Sequence, residues 1–99
     1  MDPRIASSVY AALDAVNEDL APDQRLPKEA ETVLTGSHGG LDSLAMLDFI
    51  SAVERELEQQ AGITVSLYED NLPTGVEDPF RSVGSVMRHI DGLLRRVAA

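Results

Sequence analysis

Three segments of this chain repeat apolar residues at steps of three and four, and this period constrains the fold more than any other feature. The repeat places apolar side chains along one face of an α-helix, which must then be buried against another element. The first segment follows Asp2 and Pro3, a favourable helix start, and stops at Ala21 and Pro22. Its apolar stripe is Ile5, Val9, Ala12, Leu13, Val16 and Leu20.

The second segment predicts a helix over about residues 43–60, closed by Ala61 and Gly62. A flanking row on this helix, Leu44, Leu47 and Ser51, extends from Ser43. Leucines exposed beside the serine are unfavourable unless a partner docks on them. The core stripe of the helix is Met46, Phe49, Ile50, Val53 and Leu57.

The third segment predicts a final helix that Ser82 caps. Its apolar stripe is Val83, Val86, Met87, Ile90, Leu93, Leu94 and Val97. Together, the three segments predict an all-α fold, a small bundle of three main helices in a single domain spanning residues 1–99. We expect its core to include Leu13, Val16, Phe49, Ile50, Val53, Val86 and Ile90.

The connections between these helices lack a helical period. Residues 21–41 predict a long loop, which we expect three apolar side chains to anchor to the core: Leu26, Val33 and Leu34. The β-branched alternation of residues 63–67 favours an extended segment or a short strand, although no partner strand is visible. Residues 68–81 leave room for at most one short helical turn before the last helix, near Tyr68 to Asn71.

The charge balance is strongly acidic, with 8 basic residues against 17 acidic ones and a formal net charge of −9. Such a charge repels phosphate backbones and anionic lipids, so we expect neither nucleic-acid binding nor membrane insertion. It attracts partners with basic patches. The chain has no cysteine, no apolar signal segment and no apolar run long enough to span a membrane. We therefore expect a soluble cytoplasmic monomer.

Asp42 and Ser43 mark the start of the second helix, where short side-chain oxygens accept hydrogen bonds from first-turn N–H groups. A serine exposed there lies at the positive end of the helix dipole, which favours an attached phosphate. The spacing alone favours a plainer role, in which Ser43 only caps the helix. Capping is the commoner role for a serine at such a position.

No catalytic or metal-binding constellation stands out. The Gly-x-Ser-x-Gly pattern of hydrolases is absent around Ser43, because Leu41 and Ala45 occupy the two glycine positions. His38 lies in a glycine-rich segment that would hold a general base poorly, and two histidines without cysteine do not make a zinc site. We expect a protein that is not an enzyme and binds no metal.

The segment 41–44, Leu-Asp-Ser-Leu followed by a helix, resembles the phosphopantetheine attachment site of acyl carrier proteins. The resemblance covers almost the whole chain. It includes the N-terminal amphipathic helix, the long loop, residues 53–57 and 63–65, and the turn of residues 79–85 that introduces the last helix. The chain as a whole is similar to a stand-alone acyl carrier protein.

This resemblance implies that Ser43 carries 4′-phosphopantetheine, transferred from coenzyme A by a magnesium-dependent phosphopantetheinyl transferase. The terminal thiol would hold an acyl group as a thioester. The transferase and the acyl-loading and acyl-transferring enzymes would bind through basic docking patches. The expected partner-binding residues surround Ser43 on the exposed side of the second helix: Asp42, Leu44, Leu47, Asp48, Ser51 and Glu54.

Two departures from fatty-acid carriers indicate a specialised biosynthetic pathway. Ala45 stands where those carriers usually have an acid, and the connection over residues 62–81 is long and contains prolines. Two alternatives remain open. One is an aminoacyl or peptidyl carrier loaded by an adenylating enzyme. The other is an unmodified helical interaction module that binds a partner helix through Leu44 and Leu47.

Overall fold

A computed structural model describes residues 2–34, 41–65, 67 and 80–98. Most of these residues form three helices, α1 (Pro3–Asp19), α2 (Ser43–Ala61) and α3 (Val83–Ala98), and a short 3₁₀ helix (Pro22–Gln24) follows α1. The described ranges contain no β-strand. The predicted all-α class and its three main helices are therefore confirmed.

The helix ends follow the local sequence signals. The Asp2 side chain accepts from the Arg4 N–H at 2.9 Å, and Pro3 is the first helical residue. A hydrogen bond from the Arg4 side chain, helped by the one from its backbone, holds the pKa of Asp2 below its ordinary value. At the C-terminal end of α2, Gly62 adopts a left-handed φ of 67°, which glycine tolerates because it has no Cβ.

α1 and α2 pack against each other in antiparallel order. The Ser7 hydroxyl, near the start of α1, donates to Gln60 Oε1 near the end of α2 at 2.8 Å. Asp19, at the end of α1, lines the same cleft as Asp42 at the start of α2. The seven predicted core residues are all buried, together with other apolar side chains from the three helices and their connections: Ile5, Val9, Ala12, Leu34, Met46, Ala52, Leu57, Leu67, Val83 and Met87.

The loop after α1 docks on the start of α3. The Thr32 carbonyl accepts from the Val83 N–H at 3.0 Å, and the Ala30 carbonyl accepts from the Gly84 N–H at 2.8 Å. The Ser82 hydroxyl oxygen accepts from the Ser85 N–H at 3.1 Å, so Ser82 caps α3 as predicted. The first N–H groups of a helix have no acceptor within the helix itself. In α3 the loop carbonyls and the Ser82 side chain supply these acceptors.

Two of the three predicted loop anchors are correct. Leu34 is fully buried and Leu26 packs against the core. The prediction for Val33 is wrong, because this side chain is 40% exposed. Val33 forms an isolated antiparallel bridge with Ser82. Neighbouring side chains on extended backbone point to opposite sides, so burying Leu34 turns Val33 outward.

The amide side chain of Asn17 fixes the other end of this loop. It donates to the Leu26 carbonyl at 2.9 Å and accepts from the Leu26 N–H at 2.8 Å. The Ser8 side chain is fully buried, and its hydroxyl has no hydrogen-bond partner among the residues that the structure describes. It lies within the stripe that α1 turns towards α2 and α3.

The segment after α2 is not a strand in the part that the structure describes, residues 63–65 and 67. The predicted helical turn near Tyr68 to Asn71 lies outside the described residues. No helix within the described ranges is both long enough and apolar enough to cross a membrane.

Candidate functional site

Asp42 and Ser43 have different positions at the start of α2. Asp42 is the N-cap: its backbone is extended, and its carboxylate Oδ1 accepts from the Ala45 N–H at 2.8 Å. Its carbonyl also accepts from the Met46 N–H at 2.9 Å. Ser43 is the first residue in the helix proper. The cap of this helix is therefore the aspartate, and the serine is not needed for it.

The two leucines beside Ser43 on α2 lie on the surface. Leu44 is 69% exposed and Leu47 is 48% exposed, whereas Met46 and Phe49 on the opposite side of the helix are buried. Asp48 and Ser51 are exposed too. The predicted flanking face thus exists, and it presents apolar surface to solvent close to the serine.

Glu54 has a different position from the one expected. We expected it to lie exposed with Leu47, but it is half-buried, and its carboxylate accepts from the Leu67 N–H at 2.8 Å. Leu67 is itself buried. The expectation of an exposed Glu54 is wrong, because the segment that follows α2 folds back over this acid.

Two adjoining clefts form a groove between α1 and α2, here called the α1–α2 groove. The cleft nearer Ser43 has a volume of about 180 Å³ and the other a volume of about 280 Å³. Val16, Asp19 and Asp48 line both clefts. The α2 wall also contains Asp42, Leu44, Ala45, Ser51, Ala52 and Arg55, and the α1 wall also contains Ala15 and Leu20.

This groove brings together four of the predicted partner-binding residues, Asp42, Leu44, Asp48 and Ser51. Leu47 and Glu54 do not line it. The α1 wall was missed by sequence reasoning. The residues of this wall lie near the end of an ordinary amphipathic helix. No local sequence signal shows that they line a groove with α2. Ala45 is half-buried in the α2 wall.

The charges of the groove are arranged unevenly. Asp19 and Asp48 line both clefts, Asp42 lines only the cleft nearer Ser43, and Arg55 lines only the further one. Neither Asp19 nor Asp48 forms an ion pair within the described part of the chain. The end of the groove near the serine is therefore a surface of negative potential with an exposed leucine in it.

Among the described residues, no three His, Cys, Asp or Glu side chains are grouped so that they could hold a metal ion. His89 lies on α3, where its ring meets Phe80 edge-on at 5.9 Å between centroids. What the site offers is an exposed helix start, apolar surface and carboxylates, which suit recognition by another protein.

Neither a family model, nor a curated protein, nor a solved structure matches this chain.

Proposed function

We propose that this chain is an acyl carrier protein in which Ser43 carries 4′-phosphopantetheine. The thiol of that arm would hold an acyl group as a thioester and present it to the enzymes of a specialised biosynthetic pathway. The observation that carries this function is the division of roles at the start of α2, where Asp42 caps the helix and Ser43 begins it. Because Asp42 is the cap, helix capping does not account for the serine at position 43, and this supports the proposal.

The start of α2 suits the proposed modification. The serine oxygen would form a new bond to the phosphorus beside pantetheine in coenzyme A, the pyrophosphate bridge would break, and adenosine 3′,5′-bisphosphate would leave. The hydroxyl proton would pass to a base on the transferase, which also supplies the magnesium ion. The product places a phosphodiester at the N-terminus of a helix, where amide dipoles favour negative charge.

The surface around Ser43 supports handling by other proteins. Leu44 and Leu47 provide exposed apolar area, and the exposed residue Asp48 lines the groove together with Leu44. Apolar anchors with a charged rim are typical of protein interfaces, in which the rim steers association and the anchors hold the complex. A transferase and acyl-handling enzymes with basic patches would match this surface.

Intact mass tests the modification. The protein is incubated with coenzyme A, Mg²⁺ and a broad-specificity phosphopantetheinyl transferase, and we expect a gain of one phosphopantetheinyl group. Ser43→Ala should gain nothing, and Ser51→Ala, which removes an exposed serine from the same helix, should gain one group. An unmodified wild type with several transferases, or a modified Ser43→Ala, would contradict the proposed function.

The exposure of Leu44 and Leu47 also favours a second function, an unmodified helical interaction module. The same mass measurement separates the two, because a module of this kind leaves Ser43 unmodified in every transferase reaction. The mass of the group on protein from its native host distinguishes an acyl cargo from an aminoacyl one loaded by an adenylating enzyme.

A further inference from the structure

The charges of this chain are unevenly distributed along its length. Residues 80–98 contain four arginines against one acid, Asp91, and carry a net charge of +3 with histidine neutral. The rest of the chain contains 4 basic residues against 16 acidic ones and carries −12. α3 is therefore a basic helix in a strongly acidic protein.

The two exposed arginines that the structure describes within α3 lie on one side of the helix. Arg88 and Arg95 are seven residues apart, which is about two helical turns, so they share a face. The opposite face of α3 is buried in the core through Val86 and Ile90. Gly92 lies between the two arginines, and we call the row Arg88, Gly92 and Arg95 the α3 arginine stripe.

Both guanidinium groups of the stripe are held by a neighbour on the same helix. Arg88 Nη2 donates to Ser85 Oγ at 3.3 Å, and Arg95 Nε pairs with Asp91 Oδ2 at 3.1 Å. A guanidinium has five N–H donors in a planar fork that matches a carboxylate. The remaining donors of both arginines have no acceptor among the described residues, so each arginine can also bind a carboxylate of another molecule.

The glycine of the stripe is not required by the fold in the part of the chain that the structure describes. A glycine inside a helix costs about 1 kcal/mol relative to alanine. A Cβ at Gly92 would have nothing within 4 Å, so no contact within the protein excludes a side chain there. The bare backbone leaves a shallow notch between Arg88 and Arg95, which allows a second helix to approach closely.

We propose that the α3 arginine stripe binds an acidic helix of a partner protein. The partner helix crosses α3 at Gly92 with small side chains at the contact, and its carboxylates pair with Arg88 and Arg95. The proposal combines two independent observations, the two cations on one face and the notch between them. It does not depend on the modification of Ser43.

The size of the molecule explains why its acidic surfaces do not prevent this binding. The screening length is about 8 Å at physiological ionic strength, whereas the smallest dimension of the molecule is 21 Å. A helix that contacts α3 alone is therefore attracted mainly by the arginines beside it. A nucleic acid is a poor occupant, because its phosphate backbone would extend along the acidic surfaces as well.

A pair of synthetic helical peptides tests the site on the full-length protein. Each has about 18 residues, because shorter helices are marginal in water. The first has alanines along one face with glutamates on both sides, and the second has lysines in place of the glutamates. We expect the glutamate peptide to shift the amide NMR resonances of Arg88, Gly92 and Arg95, with binding that weakens as salt rises from about 0.15 M to about 1 M. We expect the lysine peptide to leave these three resonances unchanged.

Three variants locate the binding. Gly92→Gln fills the notch with an uncharged side chain of high helix propensity, so it should raise the stability measured by urea unfolding and yet weaken binding. Arg88→Gln/Arg95→Gln removes both cations of the stripe. Arg55→Gln removes a cation of the same kind from an exposed position on α2. We expect the first two variants to weaken binding about fivefold or more and Arg55→Gln to change it less than about twofold.

Several results would overturn the proposed site. One is a glutamate peptide that does not bind, or whose resonance shifts lie away from α3. An unchanged affinity in Gly92→Gln would show that no helix enters the notch. An equal loss in Arg55→Gln and in the double variant would mean that the peptide responds only to the overall charge. A wild-type dimer in sedimentation that the double variant dissociates would assign the stripe to a second copy of the chain.

Discussion

The Glu54 carboxylate on α2 accepts a hydrogen bond from the backbone N–H of Leu67 at 2.8 Å. Leu67 is 2% exposed, so this bond fixes a buried residue of the segment that follows α2. Asp48, six residues nearer the start of the same helix, is exposed and forms no such bond with any described residue. The acids of α2 thus have separate roles: Glu54 stabilises the fold, and Asp48 remains available to a partner.

We expect Glu54→Ala to lower the free energy of unfolding by about 1–3 kcal/mol, because it leaves a partly buried N–H without its charged acceptor. Glu54→Gln retains an acceptor oxygen and should lose less. Glu58→Ala, which removes an exposed acid from the same helix, is the control and should change stability by less than about 0.5 kcal/mol. Urea unfolding measures all three. Equal effects of Glu54→Ala and Glu58→Ala would show that the Leu67 bond contributes nothing.

The rate of phosphopantetheinyl transfer should respond differently to apolar and charged changes beside Ser43. We expect Leu47→Ala to slow the transfer at every ionic strength, because it removes apolar contact area. Asp48→Asn should slow it at low salt and much less at high salt, because screening weakens the attraction of an exposed charge. Glu54→Gln should behave like the wild type, since its carboxylate already serves the fold. An unaffected Leu47→Ala would place the transferase elsewhere.

The core should depend strongly on the aromatic side chain of α2. Phe49 is fully buried among side chains of the bundle, so Phe49→Ala loses both its apolar burial and the packing around it. We expect a loss of about 3–5 kcal/mol in the free energy of unfolding. Leu47→Ala truncates a half-exposed leucine on the same helix and should cost far less. A melting temperature for Phe49→Ala within a degree or two (about 0.5 kcal/mol) of wild type would contradict this packing.

Two glycines of α3 should respond to alanine in opposite directions. A Cβ at Gly92 meets nothing within 4 Å, so Gly92→Ala should raise stability by about 0.5–1 kcal/mol through helix propensity. A Cβ at Gly84 would lie 3.1 Å from the Ala30 carbonyl oxygen, which accepts from the Gly84 N–H. We expect Gly84→Ala to lower stability by about 1 kcal/mol or more, as overpacking does. Urea unfolding measures both variants. If both substitutions raise stability, the loop at Ala30 moves away from the new Cβ at little cost.

The helices could be predicted from the sequence because their signals lie within a few residues of one another. Apolar spacing placed the buried faces of α1, α2 and α3, and Asp2, Gly62 and Ser82 act at the helix ends as their residue types suggest. The start of α2 was less certain, because Asp42 and Ser43 are both good capping residues. Only the backbone geometry shows that Asp42 is the cap.

The loop contacts depended on tertiary structure. Thr32 and Ala30 support the start of α3 through carbonyl groups, which every residue has, so their side chains give no signal of this role. Val33 and Leu34 are both apolar in the sequence, and which of them is buried depends on how the loop meets α3. The local sequence likewise indicates that Glu54 is a surface acid. It is partly buried only because the chain after α2 folds back over it.

The sequence by itself determined the three helices, their buried stripes and the placement of Ser43 at a helix start flanked by leucines, since all of these follow from local spacing. The tertiary structure decided which residue caps α2, which acid is held by the fold, and that the end of α1 joins the start of α2 in one groove. Local periodicity states which face of a helix is buried. It does not state which residue of a distant helix that face will meet, because the register between helices is set by packing across the whole core.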